Sequence, residues 1–94
     1  QIIRHKIFNY TGVIFDIDPS YEGTDEWYEK VAETKPPKDK PWCHVLVSDD
    51  EKTTYVAERN IEEVINPEPI NHSMVQYIFE KFDGKEYRLK FKAN

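Results

Sequence analysis

The chain has 94 residues, a formal net charge of −5 and a single cysteine, Cys43. That length builds one domain around one modest core, and a lone cysteine excludes an intramolecular disulfide, which suits a reducing, cytoplasmic setting. The acidic balance repels phosphate, so any nucleic-acid binding has to come from a local basic patch. The 33% charged fraction points to a soluble protein and the 14% aromatic fraction to a packed core. No run approaches the roughly 18 apolar residues of a membrane span.

In chain order, Ile2 to Phe8 reads as a first strand, with Ile3, His5 and Ile7 on one face and Ile2, Arg4, Lys6 and Phe8 on the other. Asn9-Tyr10 is a tight turn, since Asn tolerates positive φ. A second strand follows to Asp18-Pro19, a pair that starts turns. Strict alternation places Val13, Phe15 and Ile17 opposite Gly12, Ile14, Asp16 and Asp18. The two strands form an antiparallel hairpin.

Ser20 to Lys40 is a long excursion. Thr24 caps a short helix from Asp25, with Trp27, Tyr28, Val31 and Ala32 on one stripe and Glu26–Lys30 as a surface pair. Pro36-Pro37 stops it. Trp42 to Val47 and Thr53 to Ala57 form a second hairpin around a polar turn. Glu58 to Ile65 is either a short helical turn or a bridging strand. Beyond Pro67 and Pro69, a helix is expected over Ser73 to Phe82. Its cap is Ser73 with Gln76, or Asn71 with Ile70 stapling against Val75. Asp83-Gly84 ends it. Tyr87, Leu89 and Phe91 then alternate with Arg88, Lys90 and Lys92 in a basic-faced last strand.

The search for chemistry is short. Asp16 and Asp18, with Ser20 and Glu22, match a calcium loop only faintly, because Tyr21 and Trp27 stand where Gly and the bidentate Glu belong. His5, His44 and His72 fall on three elements without ligand spacing and read as structural or surface histidines. Cys43 reads as a buried structural thiol. There is no nucleophile elbow, phosphate loop or dinucleotide fingerprint. The expectation is therefore no catalytic residue, no metal and no cofactor. Two surface features remain. Trp27 and Tyr28 are a candidate protein-docking pair, or else they seal the core. Lys85, Arg88, Lys90 and Lys92 are a candidate contact for DNA or an acidic partner, or else they guard a sheet edge.

Several stretches also carry a resemblance. Arg4-His5, Tyr10, Gly12-Val13-Ile14 and Asp16-Ile17-Asp18-Pro19 resemble the opening of the HspQ family, also called YccV-like or hemimethylated-DNA-binding. Glu26-Trp27, Pro41-Trp42-Cys43-His44-Val45-Leu46-Val47, Tyr55-Val56-Ala57-Glu58 and Asn60-Ile61 follow in the family's order. The resemblance spans nearly the whole chain as a single YccV-like domain. It implies a mainly β, small SH3-like antiparallel barrel with one or two short helices, as the hairpins themselves suggest. It further implies a bacterial heat-shock protein of the stress response, a non-enzymatic specificity factor for the Lon protease. The partners are then Lon and its substrates. The alternative it offers is a regulator of replication initiation that binds hemimethylated DNA. Weak DNA binding and self-association, with a trimer among the options, complete the expected partners; no membrane is expected. His5, Tyr10, Gly12, Asp16, Asp18, Pro19 and Trp42 are read as scaffold positions of the family motif.

Overall fold

The structure is a computed structural model, and it describes residues 1–31 and 34–90. Among these, five antiparallel strands form one sheet: β1 (Ile2–His5), β2 (Thr11–Asp18), β3 (Trp42–Val47), β4 (Thr53–Ala57) and β5 (Ile61–Glu63). Their order across the sheet is β4-β3-β2-β1-β5. The fold is mainly β, as the alternating pattern implies. The edge strands β4 and β5 do not pair, so the expected barrel is left open.

The first hairpin forms as expected but with a shorter strand. Asn9 takes φ 58°. β1 stops at His5 because the chain folds back over its ring: the Ile7 and Phe8 amides both donate to His5 Nδ1 at 3.1 Å. Ile7 and Phe8 thus leave the sheet and become exposed at the hairpin tip.

β2 corrects the simple alternation. Ile14 pairs with Val45, but Asp16 pairs with His44, so Phe15 is an extra residue in a bulge. Beyond it the faces exchange, and Asp16 and Asp18 lie on the side of Val13, not of Gly12 and Ile14. The strand can thereby serve two environments. Val13 packs with Ile2, Leu46, Ile70, Phe79 and Tyr87, while Ile14 packs against Ile3, Cys43, Val45 and Val56 on the opposite face.

The excursion between β2 and β3 is tied down along its length. Helix α1 (Asp25–Val31) begins where expected, with the Trp27 amide donating to Thr24 Oγ1 at 3.1 Å. Its last carbonyls, of Tyr28 and Glu29, accept from Lys35 Nζ. The expected Glu26–Lys30 pair does not form among the described residues; Lys38 bonds Asp25 and Lys35 bonds Glu29 instead. Ala32 lies outside the described residues.

Both readings of Glu58 to Ile65 hold in part: a 3-10 turn (Glu58–Asn60) leads into β5, which pairs with β1. The C-terminal region departs most from expectation. Helix α2 (Val75–Ile78) is one turn long, and neither proposed cap is used. Ser73 bonds the Glu51 carboxylate, and His72 Nδ1 accepts the Met74 amide. Phe79 is extended and bridges Leu89, so the chain returns as an irregular hairpin in place of the longer helix. Its turn is set by Asp83 Oδ1, which accepts from the Lys85 and Glu86 amides, and by Gly84 at φ 99°. Packing outweighs helix propensity here, because the return brings Phe79 and Tyr87 onto Ile2, Val13 and Leu46.

Candidate functional site, an aromatic groove along β4

The candidate surface is built on β4, the sheet edge under α1. β3 carries Trp42 and β4 carries Tyr55 and Ala57 to the same face. α1 lays Trp27 and Tyr28 over them, and Tyr21 completes the cluster. The rings meet at centroid distances of 4.9 Å for Tyr21–Trp42, 5.2 Å for Trp42–Tyr55 and 6.2 Å for Trp27–Trp42. Tilted and edge contacts of this kind are worth about 0.5–1.5 kcal/mol each beyond burial.

The two candidate docking aromatics have different environments. Tyr28 is buried; its hydroxyl donates to the Pro36 carbonyl at 2.6 Å and Lys38 Nζ stands 4.4 Å over its ring. Trp27 is half-buried and lines a groove of about 820 Å³. The groove runs along β4, walled on one side by Trp27 and Val31 of α1 and on the other by Ile7, Phe8 and Tyr10 of the first hairpin. Ile7, Phe8 and Val31 are 47%, 57% and 50% exposed. Sequence reading missed Ile7 and Phe8, because a strand pattern continues through them; only the His5 ring diverts the chain.

At one end of the groove, Asp18 accepts from the Tyr55 hydroxyl at 2.6 Å and lies 3.0 Å from His44 Nε2. The Tyr55 bond, then the His44 bond, hold the Asp18 carboxyl below its usual value. Burial, reinforced by that same carboxylate, pushes the Tyr55 phenol up to about 12. Asp16, Asp18 and His44 present ligand atoms within 4.8 Å of one another. Cross-strand register, not sequence spacing, assembles this trio. The Asp18 oxygen nearest His44 is already engaged by Tyr55, and three donors fall short of the six to eight oxygens calcium takes.

The other motif positions hold the frame. His5 is buried and accepts two amides, and burial lowers its pKa. Tyr10 shares a 2.7 Å hydrogen bond with Thr54 of β4. Gly12 lies against β3, where a Cβ would meet the Leu46 carbonyl oxygen and Val45 Cγ1 at 2.5 Å. Trp42 is buried, and its Nε1 donates to the Pro37 carbonyl. Pro19 is exposed at the end of β2. Cys43 is buried, which raises its pKa.

The basic candidates sit elsewhere. Lys85, Arg88 and Lys90 are exposed on the C-terminal hairpin, and Lys90 Nζ donates to the Gln76 carbonyl. Among the described residues they do not share a regular strand; the region makes a single bridge at Leu89, whose side chain is exposed, not inward. Phe91 and Lys92 lie outside the described residues. No helix among the described residues is long and apolar enough to cross a membrane.

The class is thus a mainly β domain: a five-stranded antiparallel sheet with short helical elements and an aromatic groove at its edge. Residues 1–86 match the family described as hemimethylated DNA-binding protein, YccV-like, and the chain belongs to that family. No solved structure matches it.

Proposed function

We propose that this chain is a non-enzymatic, cytoplasmic heat-shock adaptor that enhances the substrate specificity of a Lon-type protease in protein quality control. The carrying observation is the groove along β4, where Trp27, Ile7, Phe8 and Val31 leave apolar surface open to solvent on an acidic protein. Exposed apolar and aromatic walls within a polar rim have the composition of protein-docking sites. The test is degradation of model substrates by Lon with and without this protein. Faster or more selective degradation is expected, reduced by Trp27→Ala; an unchanged substrate profile overturns the reading. Circular dichroism of that variant separates lost contact from lost fold, since Trp27 also packs on Trp42.

The second reading, a hemimethylated-DNA-binding regulator of replication initiation, draws on the family's description. Its support in the chain is the exposed group Lys85, Arg88 and Lys90. The net charge of −5 weighs against it.

A further inference from the structure

β4 has an edge that its own sheet does not use. In the β3–β4 pair, the Glu58 amide donates to the Pro41 carbonyl and the Val47 amide donates to the Lys52 carbonyl. Antiparallel bonding alternates, so Val56 and Thr54 also bond toward β3, paired with Cys43 and Val45. Thr53 and Tyr55 therefore turn their amides and carbonyls the other way, as does the Ala57 amide. None of these groups has a hydrogen-bond partner among the described residues. They line the same groove as Ile7, Phe8, Val31 and Trp27.

We infer that the groove binds an extended, apolar polypeptide segment by strand addition to β4, taking stretches of unfolded chain. Main-chain groups without a partner among the described residues recur at every second position, about 6.8 Å apart, and match the repeat of a β-strand. The apolar walls, one on each side of the edge, favour apolar side chains on both faces of the added strand. The net charge of −5 disfavours acidic segments.

The recess of the edge decides against a second folded copy as occupant. Val56 and Ala57 are each 4% exposed, beneath walls from α1 and from the first hairpin. A lone strand enters such a cleft, whereas a partner's β4 lies at the bottom of an identical cleft and cannot reach it. The inference deepens the adaptor reading by naming what the adaptor carries, and rests on that reading for its biological role; the binding step itself needs no protease.

The test uses the whole chain and a fluorescein-labelled peptide of about eight residues, valine and alanine between terminal lysines, a typical strand length. Fluorescence anisotropy should show saturable binding. Methylating alternate peptide nitrogens keeps the side chains but removes the donors facing β4, and should weaken binding roughly tenfold or more. The double variant Ile7→Ser, Phe8→Ser changes two side chains that are half-exposed at the hairpin tip, and should weaken binding similarly while circular dichroism shows the fold retained. Equal affinity for the methylated peptide overturns strand addition, as does full binding by the double variant. Sedimentation showing self-association that this variant abolishes also overturns it, by giving the groove to a second copy. Peptide binding without any effect on Lon upholds the site and removes the adaptor reading; a Lon effect without peptide binding does the reverse.

Discussion

Two single residues set conditions the rest of the chain obeys. Gly12 lets β2 approach β3 closely, and a Cβ there would strike the backbone of Leu46. Gly12→Val is expected to destabilise by about 1–3 kcal/mol or more, as overpacking does. Asp16→Asn should stay within about 0.5 kcal/mol, since Asp16 is exposed. Urea denaturation midpoints rank the pair; the reverse order would contradict the close approach. Asp18 and Tyr55 give opposite pH responses. The folded Asp18 carboxyl titrates below its usual 3.8, so its contribution is whole above 3.8 and is lost as pH falls below it through the lowered folded value. Tyr55 is raised from 10 to about 12, so its contribution is whole below 10 and is lost as pH rises through 12. Tyr55→Phe should move the Asp18 midpoint upward in a carboxyl NMR titration and remove part of the alkaline loss of stability. An unmoved midpoint would mean that the hydroxyl does not hold Asp18.

At the scale of elements, α1 is short and depends on its ends. Thr24 accepts the Trp27 amide, and Lys35 bonds the carbonyls of Tyr28 and Glu29. Thr24→Ala should cost about 1 kcal/mol, the usual loss for an N-cap. Because α1 carries Trp27 and Val31, thermal melting and Trp fluorescence should report the loss together. A change in neither would show that packing on Trp42 and Tyr55 holds the helix without its cap. α2 shows the opposite balance. Its apolar stripe, from Met74 through Phe82, is legible as a helix, yet the chain leaves helical geometry at Phe79. The Phe79–Leu89 bridge and the burial of Tyr87 reward the extended return.

For the whole molecule, charge and ligand content are the measurable quantities. Arg4, Lys35, Lys38 and Lys52 are ion-paired with Glu62, Glu29, Asp25 and Asp50, which leaves their charge locally compensated. Binding to methylated, hemimethylated and unmethylated duplexes should therefore be weak and unselective at ~150 mM salt, where non-specific phosphate contacts are lost. Tight, methylation-selective binding under those conditions would favour the DNA reading. Chelation should leave the melting temperature unchanged, because the Asp18 oxygen beside His44 is already engaged by Tyr55. A drop with EDTA, restored by one metal, would show that Asp16, Asp18 and His44 hold an ion.

The sequence by itself determined the elements whose signals are local. β3 and β4 alternate within one polar turn, Asn9 supplies a left-handed turn, and Thr24 followed by acidic residues starts α1. Family motifs fixed the frame for the same reason: Gly12, His5 and Trp42 each answer a constraint tied to residue type. Tertiary structure decided whatever depends on which chain segments meet. The bulge at Phe15 exchanged the faces of β2 and brought Asp18 to His44 and Tyr55. The His5 ring turned Ile7 and Phe8 out of their strand. The strand order left the outer edge of β4 without a strand partner beside them, so the groove exists only where three separated segments come together, and no periodicity within one segment encodes it.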